Sequence, residues 1–146
     1  MGDRRFPSLC RGGDIERVQA ALDSGTNVNE EGVLGQTGLM MALDNSRNNV
    51  VQLLLNHPDI DINKVDREGD CALHWAVIRD NHEGMAALLD RQELTTINQR
   101  SDYGWTPIMR AVAYNEVNCF NLLLNHAEVD LDIRDNYERS PEEVRR

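Results

Sequence analysis

One short pattern returns at nearly constant distance along this chain. Gly104-Trp105-Thr106-Pro107-Ile108-Met109 has counterparts in Gly35-Gln36-Thr37-Gly38-Leu39-Met40 and Gly69-Asp70-Cys71-Ala72-Leu73-His74, and Ser140-Pro141 opens another copy. Each copy sets a turn glycine before a helix start. In the clearest one, the Thr106 hydroxyl accepts an orphan N–H and Pro107 occupies the first helical position, where its missing N–H costs nothing. The capping position falls at 37, 71, 106 and 140, in steps of 34, 35 and 34 residues. A fixed period of this size is the signature of stacked supersecondary units, none of which hides its apolar face alone.

Within each period the apolar residues define two helices. In the second unit, residues 37–45 place Leu39, Ala42 and Leu43 on one face, and residues 48–56 do the same with Val50, Val51, Leu54 and Leu55. Pro58 forbids continuation, and Ile60 and Ile62 then alternate with polar residues in an extended exit. The third unit repeats this with Leu73, Ala76, Val77, Met85, Leu88 and Leu89. The fourth does so with Ile108, Ala111, Val112, Cys119, Phe120, Leu123 and Leu124. Before them, residues 6–29 form a shorter unit with no Thr-Pro start, as a terminal cap requires. Its second helix carries Ile15, Val18, Ala21 and Leu22 inward, with Asp14 as N-cap and Gly25 as stop. Ser140 and Glu143 have capping-box spacing, so a further helix is expected to begin there.

Thr106-Pro107-Ile108-Met109, Thr37-Gly38-Leu39-Met40 and Cys71-Ala72-Leu73-His74 resemble the Thr-Pro-Leu-His motif of ankyrin repeats. The paired leucines further on and the closing Asp61-Ile62-Asn63 also match, and the resemblance covers about residues 6–144. It implies an all-α ankyrin-repeat solenoid of antiparallel helix pairs joined by short β-hairpin-like loops. The whole of 1–146 is then one domain, with units at about 6–31 (cap), 32–65, 66–100, 101–134 and 135–146 (partial). Departures from the motif are instructive. Gly38, and Cys71 with Ala72, weaken the helix starts of units two and three by about 1 kcal/mol each. Ser46, Asp80 and Asn115 replace the glycine between paired helices, and Glu138 replaces a turn glycine. Asp and Asn tolerate the left-handed conformation such positions demand.

Composition narrows the partners. Fifteen basic against twenty-five acidic residues give a net charge of −10, which disfavours nucleic acid and anionic membranes. Cys10, Cys71 and Cys119 are odd in number and lack zinc spacing, so reduced thiols and a cytoplasmic or nuclear location are expected. The N-terminus lacks the apolar stretch of a signal peptide, and no apolar run is long enough to span a membrane.

The family resemblance implies a non-catalytic protein-interaction module that takes a peptide or protein partner on its concave face and hairpin tips. A monomer with no cofactor and no metal is expected. On that face the frame places Tyr103, Trp105, Tyr114 and Tyr137, with Arg67, Arg79, Ile78 and Leu34. Tyr, Trp and Arg dominate interface energies. Trp75 is assigned to packing, His74 to a ring hydrogen bond onto the backbone of the adjacent unit, and Cys119 to the core. His57 and His126 are expected to close helix C-termini as donors or cations. Asn63, with Asp61 before it and Leu55 upstream, resembles the asparagines of ankyrin repeats that are hydroxylated. The competing reading is a turn former held by side-chain bonds to the backbone. Two alternatives stand beside the interaction module: a segment of a larger enzyme, channel or signalling protein, and a stand-alone ankyrin-type kinase inhibitor.

Overall fold

The computed structural model describes residues 5–144. The outer ends of the expected domain and of its last partial unit, residues 1–4 and 145–146, lie outside them. Four helix pairs follow in order: α1 (Phe6–Gly12) with α2 (Ile15–Asp23), and α3 (Gly38–Asp44) with α4 (Asn48–Leu55). Then come α5 (Ala72–Ile78) with α6 (His82–Leu89), and α7 (Pro107–Ala113) with α8 (Val117–Leu124). The first helices of the pairs stack α1–α3–α5–α7 as an inner row, and the second helices stack α2–α4–α6–α8 behind them. The core runs continuously between the two rows, through Leu43, Leu54, Leu73, Met85, Leu88, Ile108 and Leu123, all fully buried.

Local chemistry sets the helix limits. The hydroxyls of Thr37 and Thr106 accept the backbone N–H groups of Met40 and Met109 at 3.3 and 3.4 Å. Unit two thus keeps the side-chain cap expected at Thr37 and lacks only the proline. Gly38 replaces that proline for a packing reason: a Cβ there would stand 2.6 Å from Cys10 Sγ and 3.1 Å from the Phe6 ring. In unit three, the ring of His74 supplies the reciprocal bond of a capping box, its Nδ1 accepting the Cys71 N–H at 3.0 Å. Ser46, Asp80 and Asn115 sit at φ of 54°, 51° and 57°, and Glu138 at 61°, as the turns between elements require.

Neighbouring units are sewn together at both edges. At the exits, the Asn63 carboxamide donates to Glu93 O at 2.8 Å and accepts from Thr95 N at 2.9 Å. Asn29 bridges in the same way to Asp59 and Asp61, and Asn98 to Glu128 and Asp130. At the hairpins, Arg67 N donates to Leu34 O, Asp102 N to Glu68 O and Asn136 N to Tyr103 O, one backbone–backbone bond at each of these junctions. The tips are tight turns, and the bridge between Glu31 and Thr37 is the single strand-like pairing recorded among the described residues.

Several expectations fail at the two ends of the stack, for one reason. Ile15 is 38% exposed, because α2 is covered by α4 on one flank only. Leu124 is 40% exposed, whereas Leu55, at the same place two units earlier, is 1% exposed. Leu131 is likewise 44% exposed where Ile62 and Ile97 are buried. Beyond α8, the described residues supply only a 3-10 turn (Pro141–Val144), which packs on α7 and leaves the far side of α8 open. That turn replaces the α-helix expected from Ser140, although Ser140 N does donate to Glu143 Oε1 at 3.0 Å.

Candidate functional site

The inner helices and hairpin tips of units three and four enclose an open groove of about 520 Å³, lined by Glu68, Asp70, Trp75, Ile78, Tyr103, Arg110, Tyr114 and Glu116. Its position follows from the repeat. Trp75 and Ile78 are one helical turn apart on α5, so both face outward from the inner row. Arg110 occupies on α7 the place of Trp75 on α5, and Tyr114 caps the end of α7. Tyr103 and Glu68 come from adjoining tips, held in register by the bond between Asp102 N and Glu68 O.

Three aromatic rings form a connected series along this groove. Tyr103 and Trp105 lie with ring centroids 6.1 Å apart and tilted by 46°. Trp105 and Tyr114 lie 6.2 Å apart, edge to face at 79°. Separations in this range are those of favourable aromatic pairs. Tyr103 is 65% exposed and Tyr114 41% exposed, while Trp105 is half-buried against the small cluster of Met109, Ala113 and Val144.

Both tryptophans are anchored through their indole N–H groups: Trp75 Nε1 donates to Asp66 Oδ2 and Trp105 Nε1 to Asp135 Oδ2, each at 3.0 Å. The same two aspartates organise their tips. Asp66 Oδ1 accepts from the backbones of Glu68 and Asp70, and Asp135 Oδ1 from those of Tyr137 and Arg139. For Asp135, the four donors (the backbones of Arg139 and Tyr137, Trp105 and the Arg139 side chain) hold the carboxyl below its ordinary value against the opposing effect of burial. Trp75 thus packs, as expected, and also forms part of the groove wall.

The floor is a buried ion pair that sequence reasoning missed. Arg110 Nη2 lies 2.8 Å from Asp70 Oδ1, with both side chains almost wholly covered. Burial pushes the Asp70 carboxyl up, and Arg110 pulls it back only in part. Arg110 Nε is buried without an acceptor among the described residues. Forty residues separate the two partners, so no local motif announces them.

Of the residues singled out from sequence, Ile78, Tyr103 and Tyr114 line the groove together, and Trp105 touches both tyrosines. Tyr137 is not brought into this series of rings; its face is covered by the Arg139 guanidinium at 5.2 Å. Leu34 and Arg67 sit at the tips of units two and three, and Arg79 lies 3.6 Å from Asp44. His74 bonds across units, its Nε2 2.9 Å from Trp105 O, and burial drives its pKa down to about 3. His57 and His126 act as acceptors rather than donors, each Nδ1 taking the N–H two residues on. That arrangement needs an unprotonated nitrogen and corrects the expected role. Burial pushes the thiols of Cys10 and Cys71 up to about 12 and 11, and that of Cys119 higher still.

Stacked helix pairs joined by tight tips define an α-solenoid. The ankyrin-repeat family model matches residues 8–98 and 67–135, and the chain belongs to that family. Human Rabankyrin-5 is 30% identical over 127 residues, which is 86% of this chain and 11% of that protein. A putative ankyrin repeat protein of Rickettsia bellii is 28% identical over 129 residues, 87% of this chain and 70% of that one. The human transient receptor potential cation channel subfamily A member 1 is 27% identical over 114 residues, covering 78% of this chain and 10% of the channel. The chain spans about a tenth of the length of human Rabankyrin-5 and less of its mouse counterpart, 11% and 7% respectively. Ankyrin repeats are in general protein-interaction modules rather than catalysts. No helix among the described residues is long and apolar enough to cross a membrane.

Proposed function

We propose that this chain is a non-catalytic module that binds a peptide segment of a partner protein in the groove between units three and four. The observation that carries the reading is the run of Tyr103, Trp105 and Tyr114 rings on an open, rigidly backed surface. Aromatic side chains lose little rotamer freedom on binding and supply large contact areas, which is why they dominate interface energies. The tip that carries Tyr103 and Trp105 is bonded to both neighbouring tips, through Asp102 N to Glu68 O and Asn136 N to Tyr103 O, and Asp135 holds the Trp105 indole, so little ordering remains to be done on association. A reducing compartment, cytoplasmic or nuclear, suits three buried free thiols.

Selection of displayed random peptides on the purified protein tests the reading. Tyr103→Ser with Tyr114→Ser is the right variant, since Trp105 also supports the fold. Selected peptides should bind this variant at least about tenfold more weakly, with circular dichroism unchanged. Equal binding to both proteins would refute the groove. A second reading, that the module serves inside a larger channel or signalling protein, is favoured by the lengths of the relatives. It is compatible with the same groove.

A further inference from the structure

The groove has a charge as well as a shape. Of its lining residues, Asp70 is spent on Arg110, leaving that pair close to neutral. Glu68 and Glu116 remain, and neither takes part in a salt bridge recorded among the described residues. Asp102 adds a third carboxylate in the adjoining depression, which shares Glu68, Asp70, Tyr103 and Arg110 with the groove. Around Glu116, burial and then the charge of Asp80 raise the carboxyl above its ordinary value. The neighbouring cation, Arg79, is drawn towards Asp44. The exposed ring of Tyr103 therefore stands in a groove whose Glu68 and Glu116 carboxylates have no salt-bridge partner recorded among the described residues.

From this we infer that the groove recognises an arginine side chain of an extended basic segment in the partner protein. A guanidinium lies over the face of Tyr103 while its N–H groups reach Glu68 and Glu116. The planar fork of arginine satisfies stacking and carboxylate bonding at once, which the compact ammonium of lysine does not. The chain already makes half of this arrangement one unit further on, where Arg139 sits 5.2 Å from the Tyr137 ring centroid. The net charge of −10 steers a basic segment inward and opposes an acidic peptide or a nucleic acid. The inference rests on the groove being the contact surface and names what enters it.

The probe is a synthetic Gly/Ser decapeptide with one central arginine, compared with otherwise identical peptides carrying citrulline, lysine or glutamate. Binding is followed in low salt by the indole N–H resonances of Trp75 and Trp105, the two tryptophans of the chain. The arginine peptide should shift both resonances saturably, and citrulline, which keeps the shape and loses the charge, should bind about tenfold more weakly. Lysine should fall in between, and glutamate should not bind. Glu68→Gln with Glu116→Gln should weaken the arginine peptide about five- to tenfold while leaving the fold intact, and 0.3 M salt should weaken it in the wild type. Equal binding of arginine and citrulline, or indifference to the Glu68/Glu116 variant, overturns the inference. If selected peptides without arginine occupy the groove and the arginine peptide does not compete, the groove stands and the inference falls. Failure of every peptide removes both.

Discussion

The repeat supplies its own control series for the stability of the array, because one leucine recurs in three environments. Leu55 is 1% exposed, Leu89 is half-buried and Leu124 is 40% exposed, all at the last position of a second helix. Leu→Ala removes three carbons, about 2.4 kcal/mol of transfer free energy when the side chain is fully covered. At Leu55 the packed surroundings add a cavity cost, giving about 3–4 kcal/mol in all. At Leu124 the uncovered part of the side chain contributes nothing, and the site opens to solvent so that no enclosed void forms. The cost there should be about 1 kcal/mol, with Leu89 in between. Urea unfolding at 25 °C, followed by circular dichroism, gives the three values, and an unchanged m shows that the same surface unfolds each time. A Leu124→Ala cost equal to that of Leu55→Ala would refute the reasoning. It would mean that the outer flank of α8 is covered in solution by something the fold does not show.

Three further outcomes follow from single interactions. The His74 ring is held neutral, with its pKa about 3 against an ordinary 6.5, so the native state binds fewer protons than the unfolded chain in that window. Stability should therefore fall as pH drops from 6.5 towards 3. His74→Met, which copies the buried Met40 and Met109 of sister units, should flatten this part of the stability–pH curve. An unchanged slope would mean that the ring is not desolvated. Asn98→Ala removes two inter-unit bonds and should cost about 1–3 kcal/mol in urea unfolding, while Asp132→Ala, whose side chain makes no recorded inter-unit bond among the described residues, should cost little. Ser46→Gly should raise the melting temperature, gaining about 1 kcal/mol by relieving a φ of 54°, and Asn115→Gly should gain less, because asparagine tolerates that region.

What could be read from the chain divides along a physical line. The period, the capping residues and the left-handed turns are local, and Thr37, Thr106, Asp80 and Asn115 all behave as their chemistry dictates. Helical spacing likewise identified the faces of α4 and α6. It could not say whether a face has a neighbour: Leu55 and Leu124 look the same in sequence, and only the stack distinguishes them. Tyr103 and Trp105 were visible because they stand on a tip, and Tyr114 because it closes an inner helix. Their supports were not, since the indole bonds from Trp75 to Asp66 and from Trp105 to Asp135 join different frame positions across 9 and 30 residues. Arg110 was lost for a related reason. Arginine on an inner helix suggests a solvated face, and only the tip of the preceding unit supplies the carboxylate that buries it.

This division also accounts for where recognition can reside. The positions that stack one unit on the next, such as Leu39, Leu73 and Ile108 or Asn29, Asn63 and Asn98, keep the same chemistry from unit to unit. A change there loosens an interface. The concave positions carry no such constraint, and they vary freely: Met41, Trp75 and Arg110 share one place on the inner helices, and Asn45, Arg79 and Tyr114 another. Aromatic and charged residues accumulate at these free positions in units three and four, where both flanking units are present to hold the tips still. Unit two has the free positions but fills them with Met41 and Asn45, and its tip presents Val33 and Leu34 instead of rings. On the reading proposed above, the contact surface is set chiefly by Tyr103 and Tyr114, which stay exposed, whereas Trp75, Trp105 and Arg110 also hold the fold. Exchanging Tyr103 or Tyr114 should alter what binds long before it alters whether the chain folds.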